Sequence, residues 1–264
     1  MSIHPSSIIS SEAKLGKNIK IGPFCVIGPN VVLGDNVELK SHIVIEGFTE
    51  IGDETIIYPF ASIGTSPQDL KYAGEPSKVV MGKKNLIREY VTIQPGTAAG
   101  GMVTTIGDGN LLMLGTHIAH DCVVGNNCIF ANNATLAGHV VVGDGAVLGG
   151  LAAVRQFVRV GQGAMIGGVT AVVQDVLPYA TVAGDRAKID GVNIVGMKRN
   201  GFDLKEIQAA QNVVSGLFDG EGEDTMAERI ATLREEYADD KAANMILDFV
   251  EAQQTKLGYC TPRE

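Results

Sequence analysis

The sequence predicts a mainly β chain: a left-handed parallel β-helix of hexapeptide repeats followed by an α-helical C-terminal domain. Three observations predict it. From Ile106 to Val172 an apolar residue stands at every sixth position, as in Ile106, Leu112, Ile118, Val124, Phe130 and Leu136. Four positions after each comes a second, mostly small residue, as in Cys122, Cys128, Ala134, Val140 and Ala146. Beyond Asp203 this spacing gives way to helical patterning. Self-similarity at a fixed period marks a solenoid, and neither a helix nor an alternating strand repeats every six residues. Six residues make one short strand and a turn. Three such units close a triangular coil, stacked about 4.8 Å from the next. The left hand follows from the repeat class rather than the period, and is an exception to the right-handed crossover rule.

The same spacing starts at the N-terminus with Ile3, Ile9, Leu15, Ile21 and Ile27 and runs to Ile57 and Ile63. Glycines such as Gly16, Gly22, Gly34 and Gly52 follow the inward residue, where they are expected to supply turn conformations that a Cβ disfavours. The phase then breaks between Ile63 and Ile87, and again between Ile93 and Ile106, in runs rich in Gly and Pro. Solenoids place insertions on the face where they bind. Inserted loops are therefore expected at about 65–85 and 94–105, the first as an active-site loop. Past Val172 the phase decays through Pro178 and Gly184, which puts the β-helix at 1–190 and the helical domain at 191–264. Asp203 with Glu206 forms a capping-box pattern opening a helix at Leu204. A break follows at 216–224, then one or two further helices over 226–257. These helices would cover the open edge of the solenoid.

Composition narrows the function. A formal net charge of −9 argues against nucleic-acid binding, which needs a basic face. Aromatics at 5%, no Trp and 33 Gly suit a narrow prism filled by aliphatics. The start resembles no signal peptide, and no apolar run reaches the ~18 residues of a membrane span. The expectation is a cytoplasmic protein without stable membrane insertion. Cys25, Cys122 and Cys128 fall on inward hexad positions and are expected as free buried thiols, with Cys260 in the tail. No CxxC motif points to a metal.

Three of the five histidines, His117, His120 and His139, lie close together in the sequence. Coil arithmetic stacks His120, Gly138 and Gln156 in one column. A histidine with an acidic neighbour, Asp121, over a glycine with an open N–H suits a general base beside an oxyanion donor.

Four segments carry a more specific resemblance: Gln68-Asp-Leu-Lys-Tyr-Ala-Gly-Glu-Pro76, His117-Ile-Ala-His-Asp-Cys122, Ala131-Asn-Asn-Ala-Thr-Leu-Ala-Gly-His139 and Gly191-Val-Asn-Ile194. Over essentially its whole length the chain resembles bacterial UDP-N-acetylglucosamine O-acyltransferases. That resemblance implies a homotrimer with sites between subunits. It also implies transfer of a 3-hydroxyacyl chain from acyl carrier protein to the 3-hydroxyl of UDP-N-acetylglucosamine, which opens lipid A synthesis. It makes His120 the base, Asp121 its orienting partner and Gly138 the oxyanion donor. Asp69 and Lys71 would hold the sugar and phosphate region, Gln68 the acyl group, and His117 and His139 the sugar and thioester. Gln156 would meet the uridine, Asn193 and Arg199 the distal nucleotide and diphosphate, and Gly168 the end of the acyl groove. No cofactor and no metal are implied.

Two departures touch the periphery: Arg155 where better-known members carry His, and Val195 where they carry Glu. Some relatives form an amide with a 3-amino sugar nucleotide. The rivals are a hexapeptide-repeat acetyltransferase using acetyl-coenzyme A, a γ-type carbonic anhydrase with zinc on three histidines, and a non-catalytic scaffold. The acidic carrier protein needs a basic patch, expected from Arg155, Arg159, Lys198 and Arg199.

Overall fold

In the computed structural model, which describes residues 1–219, 224–252 and 257–263, most hexads become strands of two residues. Each such strand turns one side chain out and the next in. In Leu111–Leu112, His117–Ile118 and Val123–Val124 the second residue is buried. Strands three apart in the chain pair in parallel, except at the end, where Met165–Ile166 pairs in parallel with Ala180–Ala183, two strands on, and the antiparallel closing pair described below follows. This gives three sheets of 11, 9 and 8 strands among the described residues, the faces of a prism. In the regular coils the offset is 18, so His117 pairs with Thr135 and Thr135 with Ala153. The inward residues form one axial stack. Ile57, Ile63, Ile87, Leu112 and Ile118 are fully buried, as are Cys122, Cys128, Ala134 and Val140 at the second inward position. Each coil touches only its neighbours, so the core grows along one dimension. The four free thiols are all buried. Burial pushes Cys122 up to about 12 and Cys128 and Cys260 up to about 11, which leaves them unreactive.

Apart from Gly64, which does take a left-handed φ of +78, the glycines that follow the inward residue serve a purpose other than the expected one. Their φ is ordinary at Gly107 and Gly125, whereas a Cβ on Gly107 would fall 2.7 Å from the Gly125 carbonyl oxygen of the next coil. They are there for close approach between coils. The left-handed conformation sits three residues before the inward residue, at the prism corners, on Phe24, His42, Phe60, Asp121 and His139.

The insertions lengthen two coils, to offsets of 30 at Thr55–Asn85 and 25 at Thr92–His117. The first is shorter than 65–85. Lys78–Met81 within it is a strand, paired with Phe48–Ile51 on one side and Val103–Ile106 on the other. Val79 and Met81 fill the prism there, and the ladder would be broken without them.

An antiparallel pair, Ala180–Ala183 with Lys188–Val192, ends the prism. Four helices follow among the described residues: α1 (Ile194–Arg199), α2 (Leu204–Leu217), α3 (Met226–Glu236) and α4 (Lys241–Glu251). The Asp203–Glu206 capping box is formed, and Thr225 with Glu228 makes a second one. Of the expected break at 216–224, residues 220–223 lie outside the described residues, as do 253–256 of the expected helical run. The chain returns afterwards to the prism, where the Ile189 N–H donates to the Thr261 carbonyl and the Cys260 N–H to that of Asp175.

Arg159 belongs to this junction and not to a docking surface. It is only 7% exposed, pairs with Asp175 at 2.8 Å, and donates to the carbonyls of Phe249 and Ala252. Its guanidinium lies 4.2 Å from the Phe249 ring centroid. The outward hexad position that sequence reading assigned to solvent is covered by α4. Removing one partner of a buried pair strands the other charge, so Asp175→Asn should cost about 3–5 kcal/mol of stability. Urea unfolding would read that loss, and an unchanged midpoint would show that the pair contributes nothing net.

Candidate active site

The site begins at one prism corner. The hexad turn requires a left-handed residue there, and Asp121 takes it at φ +59. Aspartate tolerates this conformation better than most side chains. The turn places the carboxylate beside the preceding ring, and His120 Nδ1 lies 2.9 Å from Asp121 Oδ2. With Nδ1–H donating to the carboxylate, Nε2 is the basic nitrogen, free to accept a proton. His120 is 6% and Asp121 7% exposed.

Asp121 is held from the second inserted loop. The Thr97 hydroxyl donates to Oδ2 at 2.6 Å, and the Thr97 N–H reaches Oδ1 and Oδ2 at 3.0 and 3.1 Å. The Asp121 N–H donates to Thr104 Oγ1 at 2.8 Å. Burial would raise the carboxyl above its ordinary range, but the bonds from Thr97 and His120 outweigh it and hold it below. Asp121 is therefore ionised at neutral pH.

The next coil places Gly138 over His120, as the 18-residue offset requires, since the His139 N–H donates to the His120 carbonyl. A Cβ at Gly138 would lie 2.6 Å from His120 Nε2. Among the described residues the Gly138 N–H has no hydrogen-bond partner. His139 stands edge-on to His120 at 5.0 Å and stacks on Phe157 at 4.5 Å. His117 Nδ1 lies 2.7 Å from Thr92 Oγ1. Burial lowers both histidines below the ordinary range. His120 nearby adds to this at His117, while Asp121 opposes it at His139. Both are neutral at pH 7.

The first inserted loop closes the other side, with Asp69 Oδ2 4.0 Å from His120 Nε2. The loop is tied down by the Gln68 N–H donating to Gln94 Oε1 at 3.2 Å, and by Glu75. The Glu75 carboxylate accepts from the Ala73 N–H and, across to the second loop, from the Ala98 N–H. Three donor atoms, from His120, Asp121 and His139, fall within 4.8 Å of one another. The Asp121 oxygens are already occupied by Thr97 and His120, so the cluster is built as an oriented base and not as an open ligand set. A buried imidazole with an ionised partner, beside a free N–H, can take a proton from an attacking hydroxyl and stabilise an oxyanion.

The comparisons give this arrangement its family. The hexapeptide-repeat family of bacterial transferases matches residues 12–47 and 104–138. The second domain of UDP-N-acetylglucosamine O-acyltransferases matches 175–260. The acyl-[acyl-carrier-protein]–UDP-N-acetylglucosamine O-acyltransferase of Rickettsia felis is 53% identical over 98% of this chain and 97% of its own. The chain belongs to the UDP-N-acetylglucosamine O-acyltransferase family. A crystal structure of a UDP-N-acetylglucosamine acyltransferase superposes with a TM-score of 0.94 at 42% identity, covering all of both chains. LpxA from Acinetobacter baumannii gives 0.93 at 39% identity, covering 98% of this chain and 99% of that one.

Within one chain of this acyltransferase, His120, Asp121, Gly138, His139 and Asp69 come together. His117 lies near enough for His120 to bear on its charge, and Lys71 bears on His139, whereas Gly168, Asn193 and Arg199 stand apart. Lys71 is exposed, its N–H donating to Asp69 Oδ1. Arg155 and Gln156 are exposed at the same corner one coil beyond Gly138. Gly168 is exposed on a different corner, stacked over Gly150. Asn193 caps α1, accepting from the Gly196 N–H and donating to the Gly163 carbonyl, and Arg199 is exposed in the last turn of that helix. Val195 is exposed in its first turn. Sequence reasoning missed Thr97, Thr104, Glu75, Gln94 and Thr92. The inserted residues shift the coil offset, so Thr97 meets Asp121 24 positions on and no arithmetic in steps of 18 finds it.

Proposed function

We propose that this acyltransferase moves a 3-hydroxyacyl chain from acyl carrier protein to the 3-hydroxyl of UDP-N-acetylglucosamine, with His120 as general base. The observation that carries the reading is the buried His120–Asp121 pair beneath Gly138. The donor and acceptor are supported by the names of the relatives, which specify acyl-acyl-carrier-protein and UDP-N-acetylglucosamine. His120 Nε2 takes the proton from the sugar hydroxyl as its oxygen attacks the thioester carbonyl. Asp121 stabilises the resulting imidazolium, and the Gly138 N–H the tetrahedral oxyanion. Collapse breaks the C–S bond, and the carrier's thiolate receives the proton back from Nε2.

Asp69 and Lys71 hold the sugar and phosphate, Gln68 the acyl end, His117 and His139 the reacting centre. Gln156, Asn193 and Arg199 meet the nucleotide. Their separation within one chain supports a homotrimer with each site completed by a neighbour. Arg155, Lys198 and Arg199 remain exposed for the acidic carrier. No described helix is long and apolar enough to cross a membrane, and we place the reaction at the start of lipid A synthesis in the cytoplasm. Incubation with UDP-N-acetylglucosamine and a panel of 3-hydroxyacyl carrier proteins should give an ester product, with light scattering reporting a trimer. Transfer only to a 3-amino sugar nucleotide, or only from acetyl-coenzyme A, would overturn the assignment.

The donor's length follows from the small residues at Gly168 and Gly150, which leave space where a side chain would stand. Each buried methylene contributes about 0.8 kcal/mol, so an open groove favours a long donor, nearer roughly fourteen carbons than ten. Gly168→Met should shift the preference to shorter chains in a competition assay. An unchanged donor profile would place the end of the groove elsewhere.

A further inference from the structure

The two inserted loops do more than wall the site. The second packs directly on Asp121: a Cβ on Gly100 would collide with the carboxylate, and one on Gly96 would lie 2.8 Å from Oδ1. Thr97, at its centre, spends its hydroxyl and its N–H on that carboxylate. Its carbonyl folds the loop back, accepting from the N–H groups of Gly100 and Met102. The next residue, Ala98, donates its N–H to Glu75 Oε1 at 2.8 Å. Glu75 belongs to the first loop, where its other oxygen accepts from the Ala73 N–H at 2.9 Å and its carbonyl from the Tyr72 hydroxyl at 3.1 Å. That same loop carries Asp69 to within 4.0 Å of His120 Nε2.

We infer that Thr97 and Glu75 are positioning residues for the acyl transfer: Thr97 orients Asp121 toward His120, and Glu75 ties Thr97 to the loop that carries Asp69. The inference rests on the reading of His120 as the base. It explains a conflict between burial and charge. A carboxylate 7% exposed must be compensated by hydrogen bonds, and one imidazole N–H supplies only one of them. Thr97 supplies the rest, and leaves Oδ2 shared between its own hydroxyl and His120 Nδ1, so the carboxylate cannot rotate away. Because Glu75 joins the loops, closure of the first loop on the sugar and the aim of the base are mechanically linked.

Thr97→Val removes the hydroxyl and keeps the shape and the backbone N–H. Loss of one hydrogen bond to an ionised group is worth about 10- to 100-fold in rate. That loss should fall on kcat, with the KM for UDP-N-acetylglucosamine nearly unchanged, and Thr97→Ser should retain most of the rate. The pH profile separates orientation from damage. The charged and titratable groups facing Asp121 are His120, His139 at 4.0 Å, the neighbouring Cys122 thiol and Glu75 across the loop junction. Without the Thr97 hydroxyl, the effect of burial on Asp121 is less opposed and its carboxyl titrates at higher pH. The acid limb of kcat/KM should therefore move upward in Thr97→Val, which a mere loss of folded protein would not produce.

Glu75→Gln can keep only one of its two N–H partners. It should raise KM and lower kcat together, and its combination with Thr97→Val should cost less than the product of the two single losses. If Thr97→Val leaves kcat and the acid limb in place while His120→Ala is inactive, Thr97 is a packing residue and the inference fails with the base intact. Should His120→Ala also stay active, the reading beneath it fails. A Glu75→Gln effect confined to KM and fully multiplicative with Thr97→Val would overturn the link between the loops.

Discussion

Replacing His120 with Ala should lower kcat by about 10²–10⁴, the usual contribution of a positioned acid–base group. Neither neighbouring histidine can take over. His117 and His139 are both neutral at pH 7, but His117 is paired with Thr92 and His139 is stacked on Phe157, and neither has an ionised partner at hydrogen-bond distance. KM for the sugar nucleotide should change little, since Asp69 and Lys71 reach the site from a loop with its own anchors at Gln94 and Glu75. The strands on either side keep their inward Ile118 and Val124, so the far-UV spectrum should be unaltered. Steady-state kinetics on both substrates checks this, and a variant retaining most of its rate would make His120 a corner residue without catalytic work.

Gly138→Ala should be nearly as damaging, by about 10² in kcat, although it adds a single methyl group. The added Cβ would stand 2.6 Å from His120 Nε2, well inside contact distance. The backbone cannot retreat, because Phe157 and His139 bond the adjoining coils on both sides of it. The ring must therefore leave its place, and a displacement of about 1 Å is enough to cost a factor near 10². The N–H is retained in alanine, so the loss tests the steric fit of base against glycine and not the oxyanion donor itself. Gly101→Ala, where a Cβ meets nothing within 4 Å, is the matched control and should leave the rate unchanged. Equal activity in both variants would show that His120 has room to move and that the glycine is there for another reason.

These two positions also show how far the sequence could be read. His120 and Gly138 lie in the uninterrupted part of the repeat, where one coil is always 18 residues, so their contact follows from counting. Thr97 and Glu75 lie in the insertions, where the count fails, and each makes its decisive bond to a residue more than 20 positions away. Arg159 was misplaced for a related reason. Its hexad position points outward, but whether outward means solvent depends on what docks there, and α4 docks there. Most of the glycines after the inward residue were located correctly and explained wrongly, with Gly64 at φ +78 the exception, because a six-residue pattern reports where a small residue is needed without saying whether φ or crowding demands it.

What the sequence alone determined, then, is whatever repeats. Strand length, inward and outward faces, the buried thiols and the His120–Gly138 column are all set by a local period that each coil passes to the next through backbone ladders. The capping box at Asp203 belongs with them, being complete within four residues. Only the tertiary structure decided the rest: that two loops of unrelated sequence meet through Glu75, that Thr97 holds the carboxylate behind the base, and that Arg159 is buried beneath a helix some 90 residues later in the chain. Those contacts join segments with no common period, and their hydrogen bonds exist only once burial has brought the segments together and excluded the water that would otherwise satisfy them.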